Sequence, residues 1–161
     1  MKEPKRIWWA RPRKLCVLER PGGGGRSHRP ERRQLEIEWL KTNGVRTVIS
    51  TMATRHNLTA YEAAGLRWFH VPAADTASAD DALEEVLRIL RRELRRAGAV
   101  AVHGNRRTDF VAAACAACVN DVYGVPVEDG LACAAEAGLS VTPEAAALVG
   151  AETGGLLTAT R

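Results

Sequence analysis

The chain has 161 residues, a length typical of one globular domain that forms a core without disulfides or metal ions. Hydrophobic residues make up 46% and charged residues 26%. No apolar run approaches the roughly 20 residues of a membrane helix, so we expect a soluble globular protein without a membrane span. The net charge of +4 is uneven, because residues 1–33 carry eleven lysines and arginines against three acidic residues. This basic segment indicates either an anionic partner or arginines that only solvate the surface.

Residues 1–13 are predicted to be a basic arm. Its tryptophans, Trp8 and Trp9, either pack the arm onto the core or stack on nucleic-acid bases. The arm contains no apolar stretch of the kind that a secretory signal needs, and we expect a cytoplasmic protein. The four cysteines lie in apolar segments without the spacing of a disulfide framework or a zinc site, so we expect reduced thiols, no metal and no cofactor. They are Cys16, Cys115, Cys118 and Cys133.

The first half of the chain alternates strands and helices. We predict a strand over 14–18, a glycine-rich loop over 20–28, a helix from Pro30 to Asn43-Gly44, a strand over 45–50, a short helix over 57–64 and a strand over 66–71. Proline is favoured at a first helical position, and glycine just after a last one, which places the ends of the first helix.

The second half has clearer helix signals. Ser78 and Asp81 fit a capping box that begins a long helix, which Gly98 ends. The apolar run over 99–103 is typical of a central strand covered on both faces. We then predict a tight loop over 104–108, helices over 110–123, 128–137 and from Thr142, and a flexible tail over 150–161. The order predicts an α/β domain over 14–149 with a mostly parallel central sheet flanked by helices.

The turn after Val102-His103 is the sharpest candidate site. It joins a buried strand to a helix N-terminus, where free N–H groups and the helix dipole favour an anion. The candidate anion-binding residues are His103, Gly104, Asn105, Arg106, Arg107 and Thr108. The alternative is an ordinary strand-to-helix turn with Thr108 as the N-cap. Asp109 in the first helical turn is expected from the dipole, and its charge would weaken anion binding.

Several segments, in order, resemble the dual-specificity branch of the protein tyrosine phosphatases. They are Leu-Glu-Arg-Pro-Gly-Gly at 18–23, the helix, glycine and strand over 40–50, the stretch over 63–75, and Val-His-Gly-Asn-Arg-Arg-Thr at 102–108. The resemblance implies that fold over 14–149, with Asp75 at the place of the general acid and His103 orienting the loop by hydrogen bonding. Read from its residues alone, Asp75 is equally compatible with a loop aspartate that starts a turn.

The signature loop departs from the family pattern of Val-His-Cys-x5-Arg-Ser/Thr. Gly104 stands where the resemblance places the nucleophilic cysteine, and the loop is about three residues short. Glycine offers no nucleophile, and a shorter loop loses amides that would surround a phosphoryl group. The cysteine mechanism is therefore expected to be absent.

Three hypotheses follow. The first is a pseudophosphatase that binds a phosphorylated or other anionic ligand, or a protein partner, without turnover. The second is a hydrolase in which Asp75, His103, Asp109 or a metal-bound water replaces the thiolate. The third is an interaction module that binds nucleic acid or an acidic protein through residues 2–33. We favour the first, and we expect no membrane partner.

Overall fold

This computed structural model describes residues 1–73, 79–105 and 108–151. Its elements, in chain order, are β1 (Ile7–Arg11), β2 (Leu15–Leu18), a 3₁₀ turn (Gly25–Ser27), α1 (Pro30–Thr42), β3 (Val45–Ser50), α2 (Leu58–Ala63), β4 (Arg67–His70), α3 (Ala79–Glu93), β5 (Ala99–His103), α4 (Asp109–Tyr123), α5 (Val127–Glu136) and α6 (Pro143–Leu148). The strands and helices predicted over 14–148 are present, with bounds that differ by a few residues at most.

The five strands form one sheet in the order β1-β2-β5-β3-β4. β2, β5, β3 and β4 run parallel, and only β1 pairs antiparallel with its neighbour β2. This confirms the predicted mostly parallel sheet. The parallel strands therefore all end at the same edge, where the crevice of an open α/β sheet lies.

The side chains of the two central strands alternate between two cores. Leu15 and Val17 of β2 and Val100 and Val102 of β5 belong to the cluster packed by α3, α4, α5 and α6. The intervening residues of both strands belong to a smaller cluster with α1 and α2. Helices thus cover both faces, which explains why β5 is a continuous apolar run.

The N-terminal segment corrects the sequence prediction. Residues 1–13 were predicted to be an arm, but Ile7–Arg11 form the edge strand β1, paired with β2. The Trp8 side chain is only 7% exposed and belongs to the larger core. Trp8 therefore packs onto the core, which was the favoured alternative to base stacking.

Two helix caps were predicted with opposite outcomes. The Thr142 hydroxyl accepts a hydrogen bond from the Ala145 amide at 3.2 Å, which confirms it as the N-cap of α6. Thr108 precedes α4 but makes no side-chain cap bond. Its hydroxyl instead accepts from the Ser140 amide at 2.8 Å, so Thr108 is the N-cap residue of α4 by position, without the side-chain bond of a cap. Ser78 of the predicted capping box, and the predicted tail from residue 152 onward, lie outside the described residues.

No helix within the described ranges is both long and apolar enough to cross a membrane.

Candidate anion-binding site

The loop after β5 lies at the carboxyl edge of the sheet, between the loops that follow β2 and β3. The Arg20 amide donates to the Asn105 carbonyl oxygen at 3.2 Å, joining the β2 loop to the loop after β5. On the other side, the Thr51 amide and hydroxyl both donate to the His103 carbonyl oxygen, at 2.9 and 3.1 Å. The backbone of residues 103–105 is thus held by both neighbouring loops.

His103 is fully buried, and both of its ring nitrogens are engaged within the protein. Nδ1 lies 2.6 Å from the Gly104 carbonyl oxygen, which can only accept, so Nδ1 carries the proton. Nε2 then accepts from the Tyr61 hydroxyl at 2.7 Å. Burial lowers the pKa of His103 to about 4, against a smaller opposing effect of its bond to Gly104. The ring is therefore neutral at pH 7, and its part in anion binding would be indirect, through the position of the loop.

A buried chain of hydrogen bonds leads from His103 to α1. The Tyr61 hydroxyl accepts from Asn57 Nδ2 at 3.4 Å, and the same amide nitrogen donates to the Pro21 carbonyl oxygen at 2.9 Å. Asn57 Oδ1 accepts from the Arg33 guanidinium at 3.2 Å. Each member supports the next, so the Tyr61 hydroxyl that bonds to His103 is held by residues on the opposite face of the sheet from α4.

The candidate ligand residues are only partly within the described chain. Gly104 is buried and Asn105 is exposed, while Thr108 is buried and bonded to Ser140. Arg106 and Arg107, the predicted charged donors, lie outside the described residues, as does Asp75. The structure therefore describes the two ends of the loop, residues 103–105 and Thr108.

Asp109 opens α4, as an acidic residue in a first turn is expected to do. Its Oδ2 accepts from the Thr142 hydroxyl at 3.3 Å. Together with the bond between Thr108 and Ser140, this ties the start of α4 to the connection between α5 and α6. The Asp109 carboxylate is thus drawn into a contact between helices.

Potential metal ligands do not cluster in the described part of the chain, and three of the four thiols are buried. No three His, Cys, Asp or Glu side chains cluster there as a metal site would require. Cys16, Cys115 and Cys118 are buried, and Cys133 is exposed on α5. Burial raises the pKa of the Cys118 thiol to about 11, and it raises those of Cys16 and Cys115 as well, which disfavours thiolates.

Sequence reasoning missed Arg20, Thr51, Asn57 and Tyr61, which support the loop. Arg20 lies in a segment that carries the family resemblance, so its importance had a signal. Tyr61 had none, because it reaches His103 from 42 residues away in a helix that sequence patterns place only locally.

No protein-family model matches the sequence, and no curated protein matches it. Solved structures do match. P. aeruginosa TpbA in complex with phosphotyrosine is 21% identical over 97% of this chain and 90% of that chain, with a TM-score of 0.67. Human DUSP28 is 18% identical over 92% and 94%, with a TM-score of 0.66. PTPMT1 in complex with PI(5)P is 14% identical over 89% and 92%, with a TM-score of 0.67.

These structures match this chain over most of their lengths, but the sequence identities are too low to show more than a common fold. They support the resemblance to the dual-specificity phosphatases that was stated from the sequence. The chain has the α/β fold of the protein tyrosine and dual-specificity phosphatases.

Proposed function

We propose that this chain is a pseudophosphatase, which binds a phosphate-bearing or other anionic group at residues 103–108 and does not hydrolyse it. The observation that carries the proposal is Gly104, which directly follows the buried His103 at the end of β5. In the fold that the chain adopts, a thiolate is expected at this place, and glycine supplies no group that attacks phosphorus.

The surroundings favour binding over catalysis. The N-terminus of α4, a helix of 15 residues, directs the positive end of its dipole toward the loop. Arg106 and Arg107 add two guanidinium groups in sequence, next to the polar side chain of Asn105. The described ends of the loop, residues 103–105 and Thr108, are held by hydrogen bonds to neighbouring segments and need little further ordering when a ligand binds.

The alternative hydrolase needs another nucleophile or base. His103 is unsuited, because it is buried, neutral and bonded at both ring nitrogens. Asp109 is engaged by Thr142. Asp75 remains the candidate general acid, so the hydrolase is tested through that residue.

The interaction module is disfavoured by the contacts of the N-terminal cations. Arg6 pairs with Glu19 at 2.7 Å, and Lys14 donates to the Arg96 carbonyl oxygen at 3.1 Å. The Arg11 guanidinium lies over the Tyr123 ring. These three cations have partners within the fold, and Trp8 is buried.

Hydrolysis of a small aryl phosphate, with and without divalent metal, tests the absence of catalysis. Wild type, Asp75→Asn and Gly104→Cys are all expected to show no turnover above buffer, the last because a restored thiol would still lie in a shortened loop. Turnover that disappears in Asp75→Asn would instead establish the hydrolase.

Thermal unfolding with phosphate or vanadate at millimolar concentration tests binding. We expect the ligands to raise Tm, because they bind only the folded state. Arg106→Ala/Arg107→Ala should reduce the ligand-induced rise in Tm, because these substitutions remove the two arginines of the proposed site. Arg88→Ala, on the exposed surface of α3, is the matched control and should keep the full rise. A rise of equal size in both variants would remove the loop as the binding site.

A further inference from the structure

A second group of cations lies on the opposite face of the sheet from α4. A groove of about 520 Å³ runs between α1 and α2 and is lined at its charged end by Arg33, Arg55 and His56. Gln34 and Thr59 add polar side chains to its wall. We call this feature the α1–α2 groove. Its lining is rich in hydrogen-bond donors and contains no carboxylate.

The positive charge of the groove is not neutralised by a described carboxylate. Arg33 donates to the neutral Asn57 side chain at 3.2 Å, and Arg55 stacks over the Trp68 ring at 5.3 Å. Neither forms an ion pair within the described residues. Glu36 of α1 is already engaged by Arg32 at 2.9 Å and by the Gly22 amide at 2.8 Å.

Arg20 adds charge from beneath the groove. Only 6% of this residue is exposed, and it forms no ion pair within the described residues. Its Nε donates to the Gly23 carbonyl oxygen at 2.8 Å, and a guanidinium nitrogen donates to His56 Nδ1 at 2.9 Å. A buried, unpaired arginine is costly unless something compensates its charge.

Each of the two histidines of this region, His28 and His56, has one ring nitrogen without a hydrogen-bond partner among the described residues. His56 accepts at Nδ1 from Arg20, so Nε2 bears the proton and is a donor without a described acceptor. The His28 ring lies 4.7 Å from that of His56. His28 donates from Nδ1 to the Gly23 carbonyl oxygen at 3.0 Å, which leaves its buried Nε2 with no partner. Burial, and then Arg20 among other cations, lowers the pKa of both rings, which reports a positive local potential.

We propose that the α1–α2 groove is a second anion-binding site, separate from residues 103–108, and that its ligand is a phosphate-bearing group. Arg33, Arg55 and His56 line it, and their side chains together carry more N–H donors than one carboxylate can accept. A phosphate group has three or four acceptor oxygens and up to two charges, which matches this surplus. Arginine forks bind such oxygens in pairs.

The test is a titration of the full chain with inorganic phosphate at constant ionic strength, followed by amide NMR. We expect saturable shifts of the amides of residues 55–60. Arg33→Gln/Arg55→Gln should raise the Kd measured at these amides by about tenfold for each arginine. A hydrogen bond to a charged group contributes about a tenfold change in affinity. Arg55→Gln alone, at an exposed residue, guards against a folding defect and should show the single-arginine loss.

Two controls separate this site from general electrostatics and from the loop. Arg88→Gln/Arg91→Gln removes the same charge from α3 and should leave the Kd unchanged. Arg106→Ala/Arg107→Ala should also leave the shifts of residues 55–60 intact. Equal weakening in the Arg88/Arg91 variant, shifts that vanish with Arg106 and Arg107, or no saturable shift at residues 55–60 would each overturn the groove site. Shifts confined to residues 104–109 would leave the proposed function standing and remove only this second site.

Discussion

The neutral state of His103 holds the loop after β5 in place. A neutral ring both donates to the Gly104 carbonyl oxygen and accepts from Tyr61, whereas an imidazolium has no acceptor nitrogen left for the Tyr61 hydroxyl. Protonation must therefore break one of these bonds in a fully buried place. We therefore expect acidic pH to disturb the loop after β5 by protonating His103.

We predict that His103 makes the protein lose stability as the pH falls. Its pKa is about 4 in the folded chain and about 6.5 when unfolded, so the unfolded state binds more protons between these values. The stabilisation is complete above about pH 6.5 and is lost as the pH falls to about 4, with a total on the order of 3 kcal/mol.

Urea unfolding of wild type and His103→Gln from pH 4 to pH 7 measures this contribution. Glutamine keeps a donor and an acceptor but does not titrate, so the variant should show a shallower fall in unfolding free energy over this range. Parallel profiles of the two proteins would mean that His103 does not titrate as its burial demands. His28 and His56 add falls of the same sign in both proteins, so they cancel in the comparison.

Single residues also mark the limit of sequence reasoning. A structural role for His103 was predicted and is confirmed, because a histidine that ends a buried strand must find partners. The identity of those partners was not predictable, since Tyr61 and Asn57 are brought to it by tertiary packing. Thr108 was the N-cap in the alternative reading of this turn, and it holds that position, but its hydroxyl accepts from the Ser140 amide in place of a cap bond.

At the scale of elements, the turn from β2 into α1 depends on a glycine that has no room for a side chain. Gly22 has φ of 92°, and a Cβ there would lie 2.8 Å from Arg33 Cβ and 2.5 Å from the His28 ring. Gly44, at the end of α1, has φ of 91° but open space around its Cβ position. A comparison of Gly22 with Gly44 therefore separates the cost of the backbone conformation from the cost of a steric clash.

We predict that Gly44→Ala lowers the free energy of unfolding by about 1–2 kcal/mol, the cost of a left-handed backbone for alanine. Gly22→Ala should cost about 1–3 kcal/mol more, because Arg33 Cβ belongs to α1 and cannot move without the helix. Urea unfolding of both variants is the measurement. Equal losses would show that the loop shifts to admit a methyl group.

The helices and parallel strands were predictable because their signals are local: apolar periodicity, proline at helix starts and glycine at helix ends. β1 was not, since Ile7–Arg11 has no regular alternation and follows charged residues. Its stability comes from pairing with β2 and from Trp8, which packs near Gly130 of α5. Such long-range contacts leave no trace in a short window of sequence.

Across the whole molecule, the four cysteines occupy environments that differ sharply. Three are buried in the cores, and Cys133 is exposed. A phosphatase-like protein that worked through a thiolate would carry a reactive, accessible cysteine. Because three thiols of this chain are buried, we expect only Cys133 to react rapidly with an alkylating reagent.

We predict that iodoacetamide adds rapidly to one thiol of the native protein, and at least about a hundredfold more slowly to the other three, which require opening of the core. Intact mass spectrometry with time counts the adducts, and protein in urea should take up four. Cys133→Ser should abolish the fast adduct. A second fast adduct in the native state would reveal an activated thiolate and would weaken the pseudophosphatase proposal.

At the scale of the whole molecule, the predicted fold is confirmed, whereas the predicted site stays a prediction. Periodicity and the order of elements predicted a parallel sheet between two helical layers, which the structure has. The α1–α2 groove had no sequence signal, because Arg33, Arg55 and Arg20 lie in separate segments that meet only after folding. The charge excess of residues 1–33 was visible, but its place on the surface was not.

The anchoring of the loop after β5 at both ends has a thermodynamic consequence. Asn105 is tied to the β2 loop and Thr108 to the connection before α6, so the backbone at these positions has already lost its conformational freedom during folding. A ligand that arrives there does not have to order them, and more of its contact energy is expressed as affinity. In the proposed anion site, the described ends of the loop would therefore lose little further conformational entropy when the anion binds.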